Sequence, residues 1–296
     1  MSVVETVAEG RDLLGECPVW LPRLGVLQRV DITASAIVRL DVGSGREERH
    51  RVGGHVGFAL PAPGGGLVAG IERRLVRMSA AGAPVAVIAA VEDGRTDNRF
   101  NDARFDPAGR LWAGTMSRTR AAGTAALYRV TEDGELSRAI TGATISNGLD
   151  WDPDFSVMYY VDSTTQQIDA IAFDLDRGRL GARRRFAAVD PAAGLPDGLT
   201  VDAAGGVWVA LFTGAALRRY RPDGALDAEI RLPVTNPTSV AFGGADLSEL
   251  YVTSARHRLS PEQLAREPQA GSVLRLRPGV RGRLAAWSGT PDTLSQ

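Results

Sequence analysis

The sequence predicts an all-β fold, a six-bladed β-propeller of four-stranded antiparallel blades, on three observations. A short segment recurs in six stretches at intervals of 41 to 50 residues, each time with a small or oxygen-bearing residue four positions ahead of a mostly apolar anchor. Each recurrence leads into a turn and then a short apolar or aromatic run, the composition of a hairpin. In most repeats a second hairpin follows, alternating apolar and charged residues as an outer strand with one wet face should. Units of this length cannot bury an apolar face alone, so they stack or close into a ring.

The first segment is Glu16-Cys17-Pro18-Val19-Trp20, with an outer hairpin from Ile37-Val38-Arg39-Leu40 into Gly43-Ser44-Gly45. The second, Gly57-Phe58-Ala59-Leu60-Pro61, enters the Pro- and Gly-rich stretch 61–66, which lies in phase with the other turns and so reads as a blade turn, not an interdomain linker. The third, Asn101-Asp102-Ala103-Arg104-Phe105, passes through Asp106-Pro107-Ala108-Gly109-Arg110 into Leu111-Trp112-Ala113-Gly114, and its second hairpin joins Ala126-Leu127-Tyr128-Arg129-Val130 to Glu132-Asp133-Gly134. The fourth is Asn147-Gly148-Leu149-Asp150-Trp151. The fifth, Asp197-Gly198-Leu199-Thr200-Val201, turns at Asp202-Ala203-Ala204-Gly205-Gly206 into Val207-Trp208-Val209-Ala210, then Leu217-Arg218-Arg219-Tyr220 and Pro222-Asp223-Gly224. The sixth is Thr238-Ser239-Val240-Ala241-Phe242, with a last hairpin expected near Ser272 to Leu276 and Arg283 to Trp287. A strand from Val3 to Leu13 is expected to complete that blade and close the ring. Residues 1–296 then form a single propeller domain.

Composition narrows the function classes. The 44% hydrophobic and 23% charged content is that of a soluble globular chain. Net charge is −1, from 34 basic and 35 acidic residues mixed along the sequence, so there is no field of one sign to draw in nucleic acid or a membrane. The run Arg183-Arg184-Arg185 reads as a solvated strand end. Met1 to Arg11 carries Glu5 and Glu9 and lacks the apolar core of a signal peptide, which predicts a cytoplasmic protein. Cys17 is the only cysteine, excluding an intrachain disulfide and a thiolate metal cluster; lysine is absent, excluding a Schiff base.

If each segment begins the innermost strand of its blade, its first residues meet at one mouth of the central channel. Glu16, Asn147 and Asp197 then offer oxygens from three blades, and Asn101 a fourth. Two carboxylates with neutral amides suit one divalent cation, and ligands on rigid strands leave room for water and substrate. Taken singly, Asn147-Gly148 and Asp197-Gly198 are also favoured turn dipeptides; their shared phase in the repeat is what points to a site. His50, His55 and His257 fall outside the pattern and read as structural or solvated, so a Ser-His-Asp triad is poorly supported. Gly64 to Gly66 is no phosphate loop, since no Gly-Lys-Ser follows. Cys17 reads as a small buried hydrophobe and the tryptophans as core.

Several motifs in order resemble the regucalcin and gluconolactonase (senescence marker protein-like) family of six-bladed propellers that use calcium or zinc. They are Gly15-Glu16-Cys17-Pro18, Asn98-Arg99-Phe100-Asn101-Asp102, Ala113-Gly114-Thr115-Met116, Ser146-Asn147-Gly148-Leu149-Asp150-Trp151 and Pro196-Asp197-Gly198-Leu199. Phe242-Gly243-Gly244 and Leu250-Tyr251-Val252-Thr253-Ser254-Ala255-Arg256 extend the match. The resemblance implies Glu16, Asn147 and Asp197 as metal ligands, with Arg99 and Asn101 on the substrate. Some members carry another substrate-contacting carboxylate just after Ala-Gly-Thr-Met; here that stretch is Ser117-Arg118-Thr119-Arg120, with no acid.

The function expected is metal-dependent hydrolysis of a sugar (aldono-) lactone of five or six carbons to the aldonic acid, a step of carbohydrate metabolism. Asp197, a ligand with an oxygen to spare, is the candidate general base, and Arg99 and Asn101 would orient substrate. All-oxygen ligation suits calcium, magnesium or manganese, while zinc or ferrous iron can occupy such a site. The expected partner is a small-molecule sugar lactone, with no nucleic acid and no membrane, on a monomer or weak homo-oligomer. Two alternatives share the site: phosphotriester or other ester hydrolysis, and cation binding without turnover.

Overall fold

The computed structural model describes residues 3–131 and 133–286. Their strands form six four-stranded antiparallel sheets, and the only α-helix among the described residues is Pro261–Arg266. The innermost strands are Gly15–Leu21, Val56–Pro61, Asn98–Phe105, Ser146–Trp151, Leu195–Val201 and Pro237–Gly243. Each packs beside the inner strands of both neighbouring blades, and the sixth returns to the first, which makes the ring. No helix among the described residues is long and apolar enough to cross a membrane.

Blade six takes three strands, Pro237–Gly243, Glu249–Ser254 and Val273–Leu276, from the end of the chain and its fourth, Glu5–Ala8, from the start. The expected N-terminal closure is present, over a shorter strand. The expected C-terminal strand is not: residues 283–286 are irregular, and Trp287 lies outside the described residues. Glu5–Ala8 already occupies the edge that such a strand would need, so the chain crosses the far mouth of the channel instead. There Gly282 N donates to Leu247 O at 2.8 Å, Ala203 N donates to Arg281 O at 2.9 Å, and the Arg283 guanidinium lies 5.2 Å from the Phe155 ring centre.

A buried ionic clasp ties the closing strand to blade one. Asp12, fully buried in the link after Glu5–Ala8, accepts from Arg29 Nε at 2.6 Å and from Arg49 Nη2 at 2.5 Å. Asp31, also fully buried, accepts from the backbone N–H groups of Leu13 at 3.0 Å and Leu14 at 3.1 Å. These carboxylates lose hydration and recover it as charge-assisted hydrogen bonds.

The turn aspartates do more than turn. Asp106 and Asp202 are fully buried; each accepts backbone N–H groups of its own turn through Oδ1 and the indole N–H of its blade's tryptophan, Trp112 or Trp208, through Oδ2 at 2.9 Å. A turn that needs only Asp and Gly in sequence is thereby bolted to an aromatic core. Between blades the packing is aromatic: Trp20 stacks on Tyr251 at 5.7 Å, Trp112 meets Trp151 edge to face at 6.3 Å, and Trp208 meets Phe242 likewise at 6.3 Å. The arginine run lies within the outer strand Arg179–Ala188 rather than at its end, and Arg183 pairs with buried Asp169 at 2.5 Å.

Candidate metal and catalytic site

All six inner strands break register at the same level, by one extra residue: between Glu16 and Val19, Val56 and Phe58, Phe100 and Ala103, Ser146 and Leu149, Pro196 and Leu199, and Pro237 and Ser239. A bulge of this kind twists the strand and re-aims a side chain that strict alternation would send into the sheet. Asn101, Asn147 and Asp197 lie in their bulges and Glu16 immediately precedes one. This shared irregularity brings them to one level of the channel, where they line a single cavity of about 310 Å³ together with Arg99.

Asn147-Gly148 and Asp197-Gly198 are thus inner-strand pairs, not turns. A Cβ on Gly148 would stand 2.5 Å from Leu199 N and 2.6 Å from Asp197 O, and one on Gly198 would stand 2.1 Å from Ser239 Oγ. Glycine here is a matter of space: near the axis the neighbouring blade, through its backbone at Gly148 and through Ser239 at Gly198, occupies the place of a side chain. Gly148→Ala is expected to cost about 1–3 kcal/mol through overpacking and to weaken cation affinity by displacing Asp197. Urea unfolding and a cation titration of the variant check both.

The donor set fits a cation. Asn147 donates through Nδ2 to Ser163 Oγ at 3.0 Å and also to Asp197 Oδ1, while its Oδ1 is buried with no hydrogen-bond partner. A buried carbonyl oxygen without a partner, lining the same cavity as the Glu16 and Asp197 carboxylates, is a donor free to meet a cation. Burial holds the Glu16 carboxyl well above its ordinary range, with further upward pushes from Asp197 and Asp102; burial and then Asp102 do the same to Asp197. No group of three or more His, Cys, Asp and Glu among the described residues is arranged for a metal, because here an amide takes the third place.

Arg99 is buried with its Nη1 donating to Phe100 O and Asn101 Oδ1, both at 2.8 Å. Asn101 Nδ2 in turn donates to Ser146 O at 3.1 Å, so a chain of hydrogen bonds braces the guanidinium across blades three and four. Burial lowers the Arg99 pKa to about 10 against the pull of Glu16 and Asp197, which leaves it charged at neutral pH. Asp102 was not singled out in sequence. The bulge turns it inward as well as Asn101, and it lies in the small compartment below the site with Cys17 and Arg104. Burial pushes the Cys17 thiol up, with Asp102 and Glu16 adding to the push, in keeping with an inert buried residue.

Of the other segment leaders, Gly57 offers no side chain and Thr238 is fully buried on Gly15 O and Thr253 Oγ1. His55, half-buried, and His257, exposed, both line the cavity. Met116, from the Ala-Gly-Thr-Met motif, and Arg118 and Arg120, from the stretch after it that holds no acid, also line it, as do Phe212 and Arg258, which no sequence pattern marked.

Comparison with known proteins matches residues 14–256 to the SMP-30/gluconolactonase/LRE-like region. Regucalcin of Gallus gallus is 36% identical over 288 residues, covering 94% of this chain and 96% of that protein. Among solved structures, a calcium-binding protein, regucalcin, from Agrobacterium tumefaciens superposes with a TM-score of 0.92 at 28% identity, covering 98% of both chains. A luciferin-regenerating enzyme gives 0.90 at 30% identity, covering 97% of this chain and 99% of the other. With the ring, the bulged inner strands and a match that spans most of its length, the chain belongs to the SMP-30/gluconolactonase/LRE-like family.

Proposed function

We propose that the chain is a divalent-cation-dependent hydrolase of sugar lactones, opening an aldono-lactone of five or six carbons to its acid. Family membership supports a lactonase or a calcium-binding role. The observation that supports the finer reading is the unpartnered Asn147 Oδ1 in one cavity with the buried Glu16 and Asp197 carboxylates and Arg99. A protein that only stored a cation would gain nothing from an arginine buried beside it.

Glu16, Asn147 and Asp197 would hold the cation; hard oxygen donors suit calcium, magnesium or manganese, and the similar Agrobacterium structure is described as calcium-binding. When bound, such a cation supplies Lewis acidity towards a carbonyl oxygen and makes water more acidic. Asp197 would ligate through one carboxylate oxygen and take the proton from the attacking water on the other, with Asn147 Nδ2 donating to its Oδ1 and fixing the group's orientation. Arg99, held by Asn101, would orient the lactone and stabilise negative charge developing on its oxygens. Leu14, Ile32, Ile145 and Leu195 on the cavity wall exclude water from that charge.

The test is lactone hydrolysis before and after exhaustive chelation, with cation added back. Activity should disappear and return. Arg99→Ala should keep the cation and lose about 10²-fold in kcat/KM, the range for removing one donor to a developing anion. Chelation without effect would sink the reading; tight cation binding with no lactone turnover would leave a cation-binding protein.

A further inference from the structure

The wall of the cavity is lopsided in charge. Its basic lining residues are Arg99, His55, Arg118, Arg120, His257 and Arg258, and its only acidic ones are Glu16 and Asp197, the two assigned to the cation. Arg99 is buried, whereas Arg118, Arg120, His257 and Arg258 are exposed, so the basic groups rise from the base to the rim. They come from three blades: His55 precedes Val56–Pro61, Arg118 and Arg120 follow Leu111–Ser117, and His257 and Arg258 follow Glu249–Ser254.

Two of these have nothing to balance them. Arg118 is paired with Glu72, but Arg120 and Arg258 make no ion pair among the described residues; the Arg258 guanidinium only donates through Nε to His257 Nε2 at 3.3 Å. Both sit in left-handed backbone, φ +57° for Arg120 and +65° for Arg258, a conformation that costs a long side chain about 1 kcal/mol or more. Burial and then Arg258 lower the Arg120 pKa, and burial with Arg258, Arg99 and Arg120 lowers that of His257. These groups share one region of positive potential. A cation on Glu16 and Asp197 cancels the two carboxylates and leaves that potential standing. A neutral lactone brings nothing to meet it.

We infer that the substrate is a lactone bearing a second ionised group, a carboxylate or a phosphate, on the carbon remote from the lactone carbonyl, and that Arg120 and Arg258 grip that group. This rests on the lactonase reading and names its substrate class. The stretch Ser117-Arg118-Thr119-Arg120, which holds no acid, fits such a guest, since a carboxylate there would repel it. The bond chemistry is unchanged: water adds to the carbonyl carbon, the ring C–O bond breaks, and the hydroxy acid leaves with release of one proton. The product is then at least a dianion.

The test compares D-glucono-1,5-lactone with the same skeleton carrying a C6 carboxylate and with its 6-phosphate, on the cation-loaded chain. One anionic lactone should exceed the neutral one by about tenfold or more in kcat/KM, through KM, as expected for a charge-assisted hydrogen bond; added salt should shrink the gap. Which anion leads identifies the group. Arg120→Gln and Arg258→Gln should each cut the anionic-to-neutral ratio, the double variant should bring it towards unity, and Arg120→Lys should restore part of it. Equal or better use of the neutral lactone overturns the inference, as do Gln variants that lower both substrates alike. Equilibrium binding of the open C6 dicarboxylate and phospho-acid against gluconate gives a second readout without turnover. If no lactone is hydrolysed the lactonase reading falls, and anion preference in this binding assay still decides for or against the arginine grip.

Discussion

Asp197→Ala is expected to remove cation binding and lactone hydrolysis together, lowering kcat/KM by about 10³-fold or more, since both ligand and base are lost. Isothermal titration with the cation and a lactone assay on one preparation check it; full activity in the variant would discredit the assignment. A stability readout separates this from misfolding. Glu16, Asp102 and Asp197 are buried within electrostatic reach of one another. Arg99 offsets the repulsion among them only in part, so neutralising one relieves what remains, and cation-free Asp197→Asn should melt higher than the cation-free parent. The parent should gain about 2.7 kcal/mol at a cation concentration one hundred times Kd, and the variant should gain almost none. A variant that melts lower and still responds to the cation would contradict both halves.

Asp12→Ala should cost about 3–5 kcal/mol, the usual consequence of breaking a buried pair and stranding its partner. Arg29 is 1% exposed and has Nη1 already without a partner, so loss of Asp12 leaves a buried guanidinium with only Glu47 to answer it. Asp12 lies in the link between the closing strand and blade one, so the expected failure is ring opening. Amide exchange should rise first at Glu5–Ala8 and Val273–Leu276, which pair with each other. A paired replacement, Asp12→Leu with Arg29→Met, should recover much of the loss. A Tm unchanged in Asp12→Ala would show that the clasp contributes nothing.

The six bulges explain why some of the site was legible in sequence and some was not. Glu16, Asn101, Asn147 and Asp197 can be picked out because a ring puts equivalent residues at equivalent heights, so phase along the chain becomes position around the axis. Asp102 escaped notice because strict alternation would point it away from Asn101; the bulge between Phe100 and Ala103 turns both inward. The glycines after Asn147 and Asp197 look like turn residues from their neighbours alone, and only the closeness of the next blade shows why they are there. Arg118, Arg120 and Arg258 lie on loops of no regular period, and a residue outside the repeat has no phase to read. The sequence pattern predicts a strand over Arg283 to Trp287, but the edge it would need is filled by Glu5–Ala8 from the other end of the sequence, which no local pattern reveals.

By itself the sequence determined the repeat, the ring that follows from it and the family; the segment leaders lie one to three residues inside the inner strands they were expected to open. Periodicity and turn chemistry are local properties, and a repeated local pattern has few ways to bury its apolar faces. Tertiary structure alone decided which oxygen of Asn147 is left without a partner, which aspartates carry the clasp and the tryptophans, and which arginines crowd one mouth without carboxylates. Those depend on which blades become neighbours and how closely they approach the axis, and electrostatic balance acts through space between residues that the chain keeps far apart.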